Sequence, residues 1–168
     1  MTTDILTVTD LKKHFVIGYS DVLRREPITV KAVDGISFTV KEGETVGLVG
    51  ESGSGKSTVA YTTIGMYRPT AGSISFRGHD LFENKERPLS LKKEIQIVFQ
   101  DPGSSLNPRR SIKQILELPL RIHRRNENRQ EQVVQLLEMV ELPSGYMHKY
   151  PQMLGGGEKQ MVAIARAL

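Results

Sequence analysis

Cysteine is absent from all 168 residues. That excludes a disulfide framework and any thiolate metal centre, and it fits a reducing compartment. No uninterrupted apolar run reaches the roughly 18 residues that a membrane-spanning helix needs. The opening MTTDILTVTD lacks the charged-then-apolar pattern of a secretory leader. A cytoplasmic location is therefore expected. The four histidines, His14, His79, His123 and His148, do not cluster at metal-ligand spacing. What remains is an ordinary globular composition, 38% hydrophobic and 25% charged, in a chain long enough for a core of its own.

The net charge is +4, from 23 basic and 19 acidic residues. Arg109, Arg110, Lys113, Arg121, Arg124 and Arg125 fall close together. Such a cluster reads either as a solvated face or as a surface for nucleic acid or anionic lipid. Few aromatics lie in the same stretch, which argues against a stacking platform for single strands.

Hydrophobic patterning changes along the chain. Ile36, Phe38 and Val40 alternate with polar residues, as in a half-buried strand, and Lys41–Glu44 reads as a turn. Thr45–Val49 is a short apolar run suited to a strand buried on both faces. The pattern predicts a helix over Ser57–Met66, broken by Pro69 and Gly72. Ser73–Phe76 and Ile95–Phe99 read as further strands, with a turn at Arg77–Asp80. Val16–Lys31 carries Gly, Pro and charge, and reads as an exposed loop. Beyond Pro102 the texture becomes helical, with Val133, Leu136, Leu137 and Val140 on one face and Arg129, Glu131 and Glu138 on the other. Val162–Leu168 reads as a helix with no capping residue after it. Alternation of strands and helices ahead of a helical insertion implies an α/β core.

Gly50-Glu51-Ser52-Gly53-Ser54-Gly55-Lys56-Ser57 fits G-x-x-x-x-G-K-[ST] at every fixed position, between a predicted strand and a predicted helix. Glycines let the backbone curl so that several N–H groups face one anion, and the helix adds its positive end. Lys56 would reach the β- and γ-phosphates, and the Ser57 hydroxyl would hold Mg²⁺. Kinases, GTPases, transport ATPases and motors share such a loop, so the motif alone selects no reaction.

The segment Phe99-Gln100-Asp101-Pro102, continuing through Ser104-Ser105-Leu106-Asn107-Pro108-Arg109, narrows the choice. So do Leu11–Phe15, Val30–Phe38, Tyr150-Pro151, Leu154–Glu158 and Ala163–Leu168. Together with the phosphate loop they make the whole chain resemble the ATP-binding cassette family, in the oligopeptide, dipeptide and nickel importer branch. The resemblance implies a P-loop NTPase fold of the ABC nucleotide-binding type, with an N-terminal antiparallel β portion and a helical subdomain. It places the β-rich portion and phosphate-loop core at 1–102, the helical subdomain with a signature-like loop at 103–156, and the start of a return helix at 157–168. ATP and Mg²⁺ are the implied cofactors. Lys56 and Gln100 are the implied catalytic residues, and Ser57 and Gln100 the metal ligands. Phosphate contacts would come from Gly50, Glu51, Ser52, Gly53, Ser54, Gly55, Lys56, Ser57 and Thr58. Phe15 matches the aromatic that stacks on adenine, although an apolar ring is equally at home in a core.

The family's signature loop usually reads Leu-Ser-Gly-Gly-Gln and caps the γ-phosphate held by the opposite subunit. Here it is Leu154-Gly155-Gly156-Gly157-Glu158. Gly155 removes a hydroxyl, and a hydrogen bond to a charged group is worth about 1.5–3 kcal/mol. The partners implied are a second ATP-binding subunit, identical or homologous, two membrane-spanning permease subunits and, indirectly, an extracytoplasmic substrate-binding protein. The implied place is the inner face of the cell membrane, the implied work is ATP-driven peptide import, and no nucleic acid is expected. The Walker B strand, D-loop and switch histidine of the family have no counterpart in these residues. Weak Mg-ATP binding and scant hydrolysis are therefore expected of these 168 residues alone. Two other readings stay open: a nucleotide-binding fragment that does not hydrolyse, and a cassette ATPase outside transport.

Overall fold

A computed structural model describes residues 3–20, 26–83, 89–123 and 128–168. Arg124 and Arg125 of the basic cluster lie outside the described residues. The chain forms two compact units, Met1–Leu91 and Lys92–Leu168, and the division falls within a short helix, Leu89–Glu94.

The first unit is built on a four-stranded antiparallel sheet. Its strands are β1 (Asp4–Tyr19), β2 (Pro27–Lys41), β3 (Ala71–Phe76) and β4 (His79–Asp80), in the order β2-β1-β3-β4. β1 and β2 form a long hairpin in which Val8 faces Phe38, Leu11 faces Ile36 and Phe15 faces Val30. Val8, Leu11, Val33, Ile74, Phe76 and Leu81 are buried. The sheet is irregular where β1 meets β3. Asp10 has φ 44°, and the register shifts between Thr9 and Lys12. Gly72, at φ 81°, lets β3 pass so close that a Cβ there would strike the Asp10 carbonyl oxygen. Arg77 and Gly78, both at positive φ, form the two-residue turn into β4.

Three sequence expectations for the strands need correction. Val16–Lys31 is not a loop throughout: β1 runs to Tyr19 and β2 begins at Pro27. Val16, Ile17, Ile28, Thr29 and Val30 are β-branched, and their strand preference prevails over the nearby charges, with Val16 facing Thr29. Thr45–Val49 and Ile95–Phe99 do not form strands. A strand buried on both faces needs a neighbour on each side, and among the described residues no segment pairs with either one. Val46 and Leu48 are accordingly exposed, and Val49 is 94% exposed.

Helix α1 (Lys56–Thr63) follows the glycine-rich loop, and Val59 and Thr62 bury its inner side. After the short helix α2 (Leu89–Glu94), the second unit contains α3 (Pro102–Ser105), α4 (Ile112–His123), α5 (Arg129–Met139) and α6 (Gly156–Ala167), with 3₁₀ turns at Ser144–His148 and Pro151–Met153. Its core joins Ile112, Ile115, Leu116 and Leu120 of α4 to Val133 and Leu137 of α5 and Val162 of α6. The amphipathic pattern expected around α5 holds, with Val133, Leu137 and Val140 buried and Arg129, Glu131 and Glu138 exposed. Arg166 of α6 ties down the end of α3, donating to the Ser105 carbonyl at 2.6 Å. A β-rich unit carrying the phosphate loop and a helical unit together realise the mixed α/β class expected from the sequence.

Candidate functional site

The phosphate loop is shaped by its glycines and closed by its lysine. Gly53 and Gly55 have φ 83° and 94°, in the left-handed region that side chains avoid. At Gly55 there is a second reason for glycine: a Cβ would run into the carbonyl oxygen of Ala32 on β2. The loop is thus pressed against the sheet where α1 begins. The Lys56 ammonium turns back over the loop and donates to the Gly50 carbonyl at 2.8 Å, the Glu51 carbonyl at 2.6 Å and the Ser54 hydroxyl at 3.3 Å. Its charge is held at the centre of the ring of backbone that Gly50–Gly55 describes. The first intrahelical bond of α1 is Val59 N–H to Gly55 C=O at 2.9 Å, so the amides of Lys56, Ser57 and Thr58 are the unpaired donors of the helix N-terminus. No acidic side chain occupies that first turn. Ser57 is exposed, Lys56 and Thr58 half-buried, and Gly50, Glu51, Ser52, Gly53 and Ser54 exposed. The donors are an ammonium, three amides and two hydroxyls in one bend, a set that suits a polyphosphate.

Phe15 lies on β1 in the same unit and is half-buried. Tyr67 packs edge-on against it, with ring centroids 5.2 Å apart, and Tyr61 of α1 packs edge-on against Tyr67 at 5.8 Å. The Lys13 ammonium stands 4.9 Å from the Phe15 centroid and is anchored to the Arg68 carbonyl at 2.9 Å. Next to Phe15 in sequence, His14 Nε2 lies 3.0 Å from Asp34 Oδ1, and Lys31 lies 3.2 Å from Oδ2. These two bonds, His14's first, hold the Asp34 carboxyl below the usual carboxylate range. Tyr67 and Lys13 shape the Phe15 site, yet sequence reasoning passed over them. Tyr67 stands 52 positions from Phe15 in sequence, and no periodicity links the two.

Gln100 and Gly155–Gly157 belong to the second unit. Gln100 is exposed and immediately precedes Asp101, whose carboxylate accepts from Gly103 N–H at 3.0 Å and caps α3. Gly155 is the N-cap of α6. Unlike Gly55, the three signature-like glycines are not required by the chain's own packing. None has a positive φ, a Cβ at Gly156 or Gly157 would meet nothing within 4 Å, and one at Gly155 would make only an ordinary contact with Glu158 at 3.6 Å. Glu158 accepts from Gly155 N–H at 2.7 Å and from the Tyr146 hydroxyl at 2.5 Å. The Tyr146 bond first, then the Gly155 amide, holds the Glu158 carboxyl below its usual range. Tyr146 itself carries the Lys149 ammonium over its ring, 3.4 Å from the centroid. Sequence reading placed Glu158 at the end of the signature-like loop but gave it no role there, and it missed Tyr146.

Among the described residues no group of three His, Cys, Asp or Glu side chains could hold a metal ion by itself. Among the described residues no helix is long and apolar enough to cross a membrane.

Comparison with known proteins places this geometry in context. Residues 33–168 match the pattern of the family described as ABC transporter. The chain is 46% identical over 168 residues to the oligopeptide transport ATP-binding protein AppF of Bacillus subtilis (strain 168), covering 98% of this chain and 51% of that protein. It is 42% identical over 171 residues to the oligopeptide transport ATP-binding protein OppF of Lactococcus lactis subsp. lactis (strain IL1403), covering 99% of this chain and 53% of that one. The chain thus spans about half the length of the curated relatives it matches. Among solved structures, the dimeric post-hydrolysis state of the ATP-binding cassette MJ0796, bound to ADP and Pi, superposes with a TM-score of 0.78 at 29% identity, over 97% of this chain and 68% of that one.

Proposed function

Because the chain belongs to the ABC transporter family, we propose that it forms the nucleotide-binding part of a subunit that powers ATP-driven peptide import. The observation that carries this reading is the loop Gly50–Thr58, where the Lys56 ammonium sits among backbone carbonyls at the N-terminus of α1. The peptide cargo rests on the names of AppF and OppF.

Lys56 would exchange its loop carbonyls for the β- and γ-phosphate oxygens, while the amides of Gly53–Thr58 line the phosphate chain. The exposed Ser57 hydroxyl suits one coordination position of Mg²⁺, with phosphate oxygens and water in the others. Bound there, Mg²⁺ would neutralise charge on the phosphates. Gln100, at the loop before α3, would add its carbonyl oxygen to the metal or orient the attacking water. Phe15 would offer its ring to adenine. The glycines Gly155–Gly157 leave open space that their own unit does not use, which fits close approach to a nucleotide held by a second ATP-binding subunit. The neighbour MJ0796 is itself dimeric. Two membrane-spanning subunits, and through them a substrate-binding protein, complete the proposed assembly at the inner face of the membrane, with hydrolysis resetting the dimer.

The test is ATP affinity in the full protein, by isothermal titration with Mg²⁺ present. Loss of a charged hydrogen-bonding group predicts that Lys56→Ala weakens binding by about tenfold or more. Unchanged affinity would remove the phosphate loop from the site.

A further inference from the structure

The exposed side of α4 forms a recess of about 370 Å³ lined by Arg109, Arg110, Gln114, Glu117, Leu118 and Arg121. Its frame is fixed at several points. Asn107 accepts the Arg109 amide on its side-chain oxygen at 3.0 Å and the Arg110 amide on its carbonyl at 3.1 Å, which sets the turn ahead of the helix. Ser111 and Gln114 then form a reciprocal capping box, Ser111 N–H to Gln114 Oε1 at 3.0 Å and Gln114 N–H to Ser111 Oγ at 3.3 Å. The opposite side of α4 is locked in the core through Ile112, Ile115, Leu116 and Leu120. Gln114, Glu117, Leu118 and Arg121 follow at helical spacing on the open side.

The charges in this frame do not balance. Glu117 is the one carboxylate in the lining, and it faces Lys113 at 3.9 Å. Among the described residues, none of the guanidiniums of Arg109, Arg110 and Arg121 has a carboxylate within ion-pair distance. Three planar donor forks therefore line one recess, and among the described residues its single carboxylate, Glu117, is paired with Lys113 rather than with any of them. Guanidinium forks match the oxygens of phosphate in pairs, and several together favour a multiply charged tetrahedral group over a single carboxylate. The absence of aromatic side chains from the lining argues against single-stranded nucleic acid.

We propose that the Arg109–Arg110–Arg121 recess binds a phosphate group, from a soluble phosphate ester or a lipid headgroup, through residues other than those of the phosphate loop. The experiment uses the full protein carrying Lys56→Ala, so that the loop does not compete for the probe. Pyrophosphate is titrated calorimetrically at low and high salt, and sedimentation with phosphatidylglycerol vesicles is compared with phosphatidylcholine vesicles. Binding should fall with salt and weaken by about tenfold or more in Arg110→Gln and Arg121→Gln, the loss expected for a charge-assisted hydrogen bond. Arg121→Lys, which keeps the charge but not the fork, should lie between; a folding defect would not give that graded order. Pyrophosphate binding without vesicle binding assigns a soluble ester, and vesicle binding lost in the same variants assigns a headgroup. No binding of either probe, or binding unchanged by the arginine substitutions, overturns the proposal and returns the cluster to a solvated face.

Discussion

The Tyr146 hydroxyl donates to the Glu158 carboxylate at 2.5 Å, across twelve residues of sequence, and so ties the 3₁₀ turn at Ser144–His148 to the first turn of α6. The same carboxylate takes the Gly155 amide, one of the donors a helix N-terminus leaves unpaired. Glycine at the N-cap offers no side-chain acceptor, so Glu158 fixes the loop from the helix side. Its negative charge also lies at the favourable end of the helix dipole.

This tie predicts a pH dependence. The folded-state pKa of Glu158 is depressed, so the stabilisation is fully present above the ordinary glutamate pKa and is lost as pH falls through the lowered value. Tyr146→Phe removes the largest cause of the depression. In that variant the carboxyl midpoint of Glu158, followed by carbon NMR, should rise toward the ordinary range. The Gly155 amide should exchange faster with solvent at neutral pH. The melting difference from the parent should shrink as pH is lowered. An unchanged Glu158 midpoint would show that the tyrosine bond does not govern the carboxylate.

Two glycines separate what the fold needs from what the phosphate loop needs. A Cβ at Gly72 would meet the Asp10 carbonyl oxygen and one at Gly55 the Ala32 carbonyl oxygen, each at a positive φ. Strain of this kind costs about 1–3 kcal/mol. Gly72→Ala and Gly55→Ala should both lower the melting temperature. Only Gly55→Ala should also weaken ATP binding beyond what the unfolded fraction explains, because it pushes the loop off β2. Equal losses of binding in the two variants would mean that the loop is not positioned by that contact.

The phosphate loop was legible because its chemistry is local: eight adjacent residues carry motif, turn and helix start together. The antiparallel hairpin was half legible. Ile36–Val40 alternated plainly, but the far end at Val16–Lys31 was obscured by glycine, proline and charge, and the cross-strand pairing of Val16 with Thr29 decided it. Thr45–Val49 and Ile95–Phe99 read as strands from composition alone. Strand formation, however, depends on partners that composition does not specify. Tyr146 with Glu158, and Tyr67 with Phe15, were invisible for a related reason: each is a meeting of side chains distant in sequence, with no spacing rule to reveal it.

Gly155 allows a substitution that adds function without disturbing the fold. Its φ of −68° is open to any residue, and a Cβ there would meet Glu158 only at van der Waals distance. Serine at this position would supply a hydroxyl at the mouth of α6, where the proposed second subunit presents its nucleotide. A hydrogen bond to a phosphate is worth about 1.5–3 kcal/mol, which is about tenfold to a hundredfold in affinity. Gly155→Ser should therefore tighten ATP-dependent dimerisation of the full protein by that factor, measured by analytical ultracentrifugation. The serine can also cap α6, so the ATP-free melting temperature should stay level or rise slightly, while ATP affinity in the monomer should stay where it was. A stable Gly155→Ser protein whose dimerisation does not change would mean that this loop does not face the partner's phosphates, and the glycines at 155–157 would then need another explanation.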